Sequence, residues 1–167
     1  MKIRKSKNDD LKNIMKLVNQ AQAYFKSQGI DQWQDGYPNE EAILQDISLQ
    51  QSYVLEDQEI AGTMFFTFEP DPNYLHIDGK WLSEHQSYGV IHRIVVDENQ
   101  KGSGLAKQLL DYCIDQCHQN HIHSIRIDTH LDNLSMQKFL KKNGFILCGN
   151  ITLQSGAPRI ALEKIIE

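Results

Sequence analysis

The sequence predicts a mixed α/β fold: one domain over residues 1–167, built on a central mixed sheet of about seven strands with helices on both faces. Three observations predict it. Apolar residues repeat every second position in some segments and at helical spacing in others, and the segments follow one another as β-α-α-β-β-β-α-β-α-β-β. Strand–helix–strand crossovers require parallel pairing, whereas the early and late hairpins require antiparallel pairing. The length, 167 residues, fits one domain of roughly 100–200 residues. A chain of that size buries about 70% of its unfolded surface and needs no metal or disulfide staple.

Lys2–Lys5 is short and extended, a first strand. Asp9 or Asp10 can cap a helix beginning at Leu11. Leu11, Ile14, Leu17, Val18, Ala21 and Phe25 form its apolar face, and Gly29 supplies the stop. Ile30–Pro38 carries turn residues and two aromatics, Trp33 and Tyr37. Asn39 caps a second helix, with Ala42, Ile43 and Ile47 facing inward. Ser52–Glu56 and Ile60–Phe68 read as a hairpin turning at Asp57–Glu59. Residues 69–87 read as a loop holding a short strand around Tyr74–Ile77. Gly89–Val96 is a buried strand, Gly102–His118 a helix, and Ser124–Thr129 a second buried strand. Asn133–Asn143 is a helix stopped by Gly144, and Phe145–Leu153 and Arg159–Ile165 finish as two strands.

Asp and Glu outnumber Lys and Arg by 22 to 17, a net charge of −5. That balance argues against nucleic-acid binding, which rests on phosphate neutralisation. No basic stripe supports an RNA- or protein-binding module. No apolar run approaches the ~20 residues of a membrane span. The start, MKIRKSKNDD, lacks the apolar core of a signal peptide. A soluble, cytoplasmic protein is expected, with no nucleic acid and no membrane as partner. Cys113, Cys117 and Cys148 read as free thiols of a reducing compartment. Cys113 and Cys117 fall in register with Leu105 and Leu109, as one buried helix stripe. His118, His121 and His123 lie near Cys117, but no carboxylate or second Cys–His pair has matching spacing, so no metal is expected.

The most informative segment is Ile94–Leu110, IVVDENQKGSGLAKQLL. A buried strand runs into a loop with Gly102 and Gly104 and then directly into an amphipathic helix. N–H groups at a helix N-terminus have no intrahelical acceptors, and the helix dipole adds positive potential there. Glycines let an anion approach the backbone, which makes a generic pyrophosphate cradle. No Gly-Lys-Ser/Thr follows, so it is not a Walker loop. The third glycine position of the dinucleotide fingerprint is Lys107.

Lys101-Gly102-Ser103-Gly104-Leu105-Ala106, followed by Leu109-Leu110, resembles the acetyl-CoA motif of the GNAT N-acetyltransferase superfamily, Gln/Arg-x-x-Gly-x-Gly/Ala. Lys101 stands where the family has Gln or Arg. SIRIDT is similar to the family's next strand, and Asn133…Asn143-Gly144-Phe145 to its Asn…Gly-Phe helix motif. The resemblance extends over nearly the whole chain. It implies that the strands Gly89–Val96 and Ser124–Thr129, fourth and fifth of the seven, splay apart at their ends. It further implies that acetyl-CoA lays its pantetheine arm along Ile94, Val95 and Val96. The pyrophosphate then sits on the N–H groups of Lys101, Gly102, Ser103, Gly104, Leu105 and Ala106, and Asn133 is a side-chain contact.

The implied reaction is direct acetyl transfer from the thioester to the primary amine of a small molecule. A lysine-like amine of pKa ~10.4 is neutral at pH 7 about once in 10^3.4 molecules, a handicap near 4.6 kcal/mol. A base must take that proton, and a backbone N–H such as that of Val95 must stabilise the oxyanion. His92, read as sharing a strand face with Ile94 and Val96, is the base candidate, since an imidazole ordinarily titrates near 6.5. It is similar to the histidine of the arylalkylamine acetyltransferase branch; the other reading is a core histidine bonded to a carbonyl. Asp128 is the second candidate, against an ion pair with Arg93 or Arg126. The family's Tyr general acid corresponds to Leu140, which leaves Tyr112, a water or no acid at all. Trp33, Tyr37, Tyr74 and Trp81 border the acceptor side and can line an aromatic or cation-binding pocket. Residues 30–38 and 69–88 set specificity. A non-catalytic acyl-CoA-binding module and a peptide or protein N-acetyltransferase are the alternatives, and a homodimer through the C-terminal strands is compatible with the pattern.

Overall fold

The computed structural model describes residues 1–84 and 87–167. In chain order the elements are β1 (Lys2–Lys5), α1 (Leu11–Ser27), α2 (Glu40–Ser48), β2 (Ser52–Glu56), β3 (Ile60–Thr67) and β4 (Asp78–Gly79). They continue with β5 (Gly89–Val96), α3 (Leu105–Gln119), β6 (Ser124–Thr129), α4 (Leu134–Lys142), β7 (Ile146–Thr152) and β8 (Pro158–Ile165). The eight strands form one sheet in the order β1-β2-β3-β5-β6-β8-β7-β4. It is mixed as expected: β5 pairs with β6 in parallel, through Gly89 with Ile125 and Val90 with Arg126. The pairs β1–β2, β2–β3, β6–β8, β7–β8 and β4–β7 are antiparallel.

The chain divides into two compact units, residues 1–66 with 92–113, and residues 67–91 with 114–167. In the first, Ile14 and Val18 of α1, Ile43 and Ile47 of α2 and Val54 of β2 form one buried cluster. The neighbours of Val54 face the other way, as strand alternation requires. Tyr53 meets Tyr112 of α3 with ring centroids 5.5 Å apart. One strand of this unit therefore carries α1 and α2 on one face and α3 on the other. Gly62 of β3 lets α3 come close, because an added Cβ would stand 3.2 Å from Leu109 Cδ1. Cys113 is fully buried, its Sγ 3.5 Å from Met64 Sδ.

In the second unit, Tyr74, Tyr88, Val90, Ile151 and Ala161 form a buried cluster with Ile77, Trp81 and Leu153 packed against it. Here the short strand lies at Asp78–Gly79 instead of Tyr74–Ile77. The Asp71 carboxylate accepts the Asn73 N–H at 2.8 Å and turns Pro72–Tyr74 into one 3-10 turn. β4 then crosses β7 where Gly79 opposes Gly149. A Cβ on Gly79 would lie 2.2 Å from the Cys148 carbonyl oxygen, and one on Gly149 would lie 2.2 Å from that of Asp78. Both positions therefore exclude every other residue at this backbone separation.

The cap expected at Asn39 is present, Asn133 adds a cap that the sequence reading does not name, and Asp10 departs. Asn39 Oδ1 accepts the Ala42 N–H at 2.9 Å and Asn133 Oδ1 the Met136 N–H at 3.2 Å. Asp10 precedes α1 but does not cap it. Its carboxylate turns back to the Lys7 N–H at 2.7 Å and to the Arg4 guanidinium at 2.8 Å. The Arg4 charge holds the Asp10 carboxyl below the usual carboxylate range. A charged partner outcompetes the neutral N–H groups of the helix end, because charge-assisted hydrogen bonds are roughly twice as strong. Among the described residues, no helix is long and apolar enough to cross a membrane.

Candidate active site

The segment after β5 is built to leave backbone donors exposed. The Asp97 N–H bonds to the Ala61 carbonyl at 2.8 Å, and its carboxylate accepts the Asn99 N–H at 3.1 Å. One 3-10 turn at Glu98–Gln100 follows. Gly102 and Gly104 then take φ of +82° and +87°. A side chain at such an angle costs roughly 1–2 kcal/mol, which glycine avoids. The first intrahelical bond at the α3 start is from the Gln108 N–H to the Gly104 carbonyl at 3.0 Å. The N–H groups of Leu105, Ala106 and Lys107 therefore point off the helix end, where the dipole concentrates about half a positive charge. An added Cβ at Gly102 or Gly104 would meet nothing within 4 Å, so the space over this backbone is open. The donor set and the open space fit a pyrophosphate. Lys101 is exposed, and its ammonium lies 3.8 Å over the Tyr24 ring.

The same strand carries His92 and Arg93. Arg93 takes φ +50°, and the imidazole of His92 and the guanidinium of Arg93 both lie against Phe65, at 5.6 Å and 4.7 Å from ring to ring or carbon to ring. Neighbours on a regular strand face opposite ways. Alternation therefore breaks at Arg93, and the expectation that His92 shares a face with Ile94 and Val96 by counting in twos does not carry across it. Arg93 is held by Asp46 of α2, with Nε at 2.8 Å and Nη2 at 2.7 Å from Oδ2. It also donates to the Tyr37 hydroxyl. Burial pushes the Asp46 carboxyl up, against the opposing pull of Arg93 and, more weakly, His92. Tyr37 is 42% exposed. Trp33 packs edge-on to Phe25 with centroids 5.7 Å apart.

In the second unit, Asp128 ends β6 and accepts the Tyr74 hydroxyl at 2.7 Å. Its expected arginine partners bond elsewhere: Arg93 to Asp46, Arg126 to Glu163 at 3.2 Å. Burial and the Asp128 charge drive the Tyr74 hydroxyl well above its ordinary pKa, so it stays a donor. Trp81 Nε1 donates to the Tyr74 carbonyl at 3.1 Å, with ring centroids 5.3 Å apart. Asn133 is buried, and its side-chain oxygen serves the α4 cap. Leu140 is 1% exposed, a core residue of α4. In the first unit Tyr112, the alternative acid, lies two turns into α3 against Tyr53, and burial pushes its hydroxyl up. Of the stretch 69–88, His85 and Gln86 lie outside the described residues. Sequence reasoning missed Asp46, Phe65 and Glu163. Only the burial of charged residues marks Asp46 and Glu163, and burial is not visible without the fold.

Cys113 and Cys117 are fully buried, and burial raises the Cys117 thiol to about 12. They form the expected helix stripe. Among the described residues, no three His, Cys, Asp or Glu side chains gather as a metal site.

A strand running through two left-handed glycines onto the N-terminus of a long helix, within a mixed sheet, defines an α/β protein whose helix end has the form of an anion site. The acetyltransferase (GNAT) family matches residues 17–145, and the chain belongs to that family. It is similar to an acetyltransferase of the GNAT family from Streptococcus agalactiae 2603, at 34% identity and TM-score 0.89, over 99% of this chain and 95% of that one. A Staphylococcus aureus Mu50 structure is 27% identical, with TM-score 0.77 over 100% of both chains. The protein yncA from Salmonella typhimurium, solved with its cofactor acetyl-CoA, shares the fold at 16% identity and TM-score 0.69, over 100% of this chain and 94% of that one. No curated protein matches the chain. The protein is an acyltransferase with acetyl-CoA as its acetyl donor.

Proposed function

We propose that the acceptor is the primary amine of a small molecule and that residues 1–167 work as one catalytic domain in the cytoplasm, with no nucleic acid or membrane partner. The observation that carries the reading is that β5 holds His92 four residues before its end and leads directly into the glycine cradle. The base and the donor site thus lie on consecutive segments of the chain. The backbone of Ile94, Val95 and Val96 takes the pantetheine arm, and the N–H groups from Lys101 to Ala106 take the pyrophosphate. Asn133 is the further contact assigned to the donor. Charge-assisted hydrogen bonds of roughly 1.5–3 kcal/mol each are enough for micromolar affinity after association costs.

His92 accepts a proton from the ammonium, whose neutral form lies about 4.6 kcal/mol uphill at pH 7. The amine nitrogen then bonds to the thioester carbonyl carbon while the Val95 N–H faces the developing oxyanion. The C–S bond breaks, and the nitrogen gives up its second proton, which ends on the leaving thiolate to form free CoA; with an ordinary thiol pKa near 8.5 that thiolate departs without a strong acid. That suits a chain with Leu140 where a tyrosine acid would stand. Asp128, fixed by Tyr74, is the second proton acceptor. Trp33, Tyr37, Tyr74 and Trp81 shape the acceptor side.

A panel of amines with acetyl-CoA and a thiol readout tests the reading. The panel holds polyamines, aralkylamines, free amino acids and short peptides. We expect free CoA to form with a small primary amine well above the amine-free rate. Release with peptides alone would reassign the acceptor, and release with none would overturn the reading.

A further inference from the structure

Glu163 is a charged residue buried completely, and nothing in the reaction uses it. It sits on β8 directly opposite Arg126 of β6 in the strand register. Its Oε1 accepts the Arg126 Nε–H at 3.2 Å and the Ser83 hydroxyl at 2.5 Å. Its Oε2 accepts the N–H groups of Leu82 at 2.7 Å and Ser83 at 3.2 Å. Arg126 in turn donates to the Ser83 carbonyl at 3.0 Å. The flat guanidinium lies 4.3 Å from the Trp81 ring and 4.0 Å from the Tyr88 ring. Ionised carboxylates rarely go into a protein core unless every lone pair is answered. Here the answering groups come from residues 82–83, about 80 positions away in sequence.

Residues 81–83 continue the contact chain. Trp81 caps the Tyr74 carbonyl and packs on the Tyr74 ring, and the Tyr74 hydroxyl reaches Asp128. Hydrogen bonds and ring contacts thus run from Glu163 through residues 81–83 and Tyr74 to Asp128, all within the second unit. We infer that Glu163 is a positioning residue: its carboxylate, with Arg126, fastens residues 81–83 so that Trp81 holds Tyr74 and the Tyr74 hydroxyl orients Asp128. The functional weight of the inference rests on the reading of Asp128 as an acceptor-side group; the positioning itself does not.

Glu163→Gln keeps the size of the side chain and removes the charge. Its amide NH2 would face donors where the carboxylate oxygens now accept. The test compares Glu163→Gln with the parent protein in a Trp33→Phe background, where Trp81 is the one tryptophan. The readouts are Trp81 emission, the Asp128 side-chain carboxyl carbon resonance, and amide exchange at Leu82, Ser83, Ile127 and Leu162. The expected result is a red-shifted Trp81 emission, a displaced Asp128 resonance and at least tenfold faster exchange at Leu82 and Ser83. Ile127 and Leu162 stay protected, which separates loss of positioning from loosening of the strands. Acetyl-CoA affinity, read by calorimetry, stays within twofold. If Glu163→Gln does not fold, Ser83→Ala removes one bond of the same anchor and shifts the same signals less. Unchanged Trp81 and Asp128 signals in a folded variant would overturn the inference, as would exchange raised equally at all four amides. Asp128→Asn with full turnover would overturn the catalytic reading of Asp128 alone and leave the anchor standing.

Discussion

His92→Ala lowers the rate of acetyl transfer about 10^2–10^4-fold, the usual range for loss of a general base. Acetyl-CoA affinity is expected not to change, because the contacts proposed for the donor are the backbone of Ile94 to Val96 and of Lys101 to Ala106 and the Asn133 side chain, not the imidazole. The contrast is informative because the proposed base and the proposed pantetheine contacts lie on one strand. A structural loss at β5 would weaken donor binding and turnover together, whereas loss of a base strikes turnover alone. The ring is packed 5.6 Å from Phe65, so His92→Gln, which keeps bulk and polarity, is the control for lost packing. It should turn over as slowly as the alanine variant while unfolding nearer the parent temperature. Full turnover by either variant on the true acceptor would remove His92 from the mechanism.

Asp46→Ala destabilises the fold by about 3–5 kcal/mol, the cost of leaving one member of a buried ion pair unanswered. Arg93 and Asp46 have side chains only 13% and 11% exposed. The deserted Arg93 would sit over Phe65 with the Tyr37 hydroxyl as its remaining acceptor of those described above. The direction of the Asp46 pKa adds a second expectation. Burial pushes that carboxyl up more strongly than Arg93 and His92 pull it down. The folded state therefore binds this proton at a higher pH than the unfolded chain does. Acidification through that window favours the fold at this site, the opposite sign to Asp10, whose lowered pKa makes its contribution fade as pH falls below 3.8. Burial thus weighs against the Asp46 charge more than its partners support it. Replacing both partners with apolar residues, Asp46→Leu with Arg93→Met, should recover most of the stability lost in Asp46→Ala. Urea unfolding of the single and double variants measures it. Equal losses in both would show that the pair itself stabilises the protein.

Much of the fold is legible because its strongest elements carry their cause in the side chains. Strands buried on both faces read as near-continuous apolar runs, which is why GVIHRIVV and SIRIDT mark β5 and β6 to the residue. The cradle is legible because left-handed backbone selects glycine, and Gly102 and Gly104 take that conformation. Arg93 takes it too, at φ +50°, and an arginine gives no such sign. Counting in twos therefore passes through the irregularity without registering it. The charged partners are hidden for another reason. Asp46 and Arg93 are 47 residues apart, Arg126 and Glu163 are 37 apart, and Tyr74 and Asp128 are 54 apart. Local pattern assigns a charge to the surface by default, and only the folded register puts these groups together.

In the proposed reading, the backbone from Lys101 to Ala106 holds the pyrophosphate of acetyl-CoA. Calorimetric titration of Gly104→Ala with acetyl-CoA tests it most directly. The added methyl meets no protein atom within 4 Å, so the fold bears only the cost of a side chain at φ +87°, roughly 1–2 kcal/mol. A phosphate approaching the same backbone would meet the methyl. The expected result is a folded variant with at least tenfold weaker acetyl-CoA binding. A folded variant that binds acetyl-CoA as tightly as the parent would contradict it.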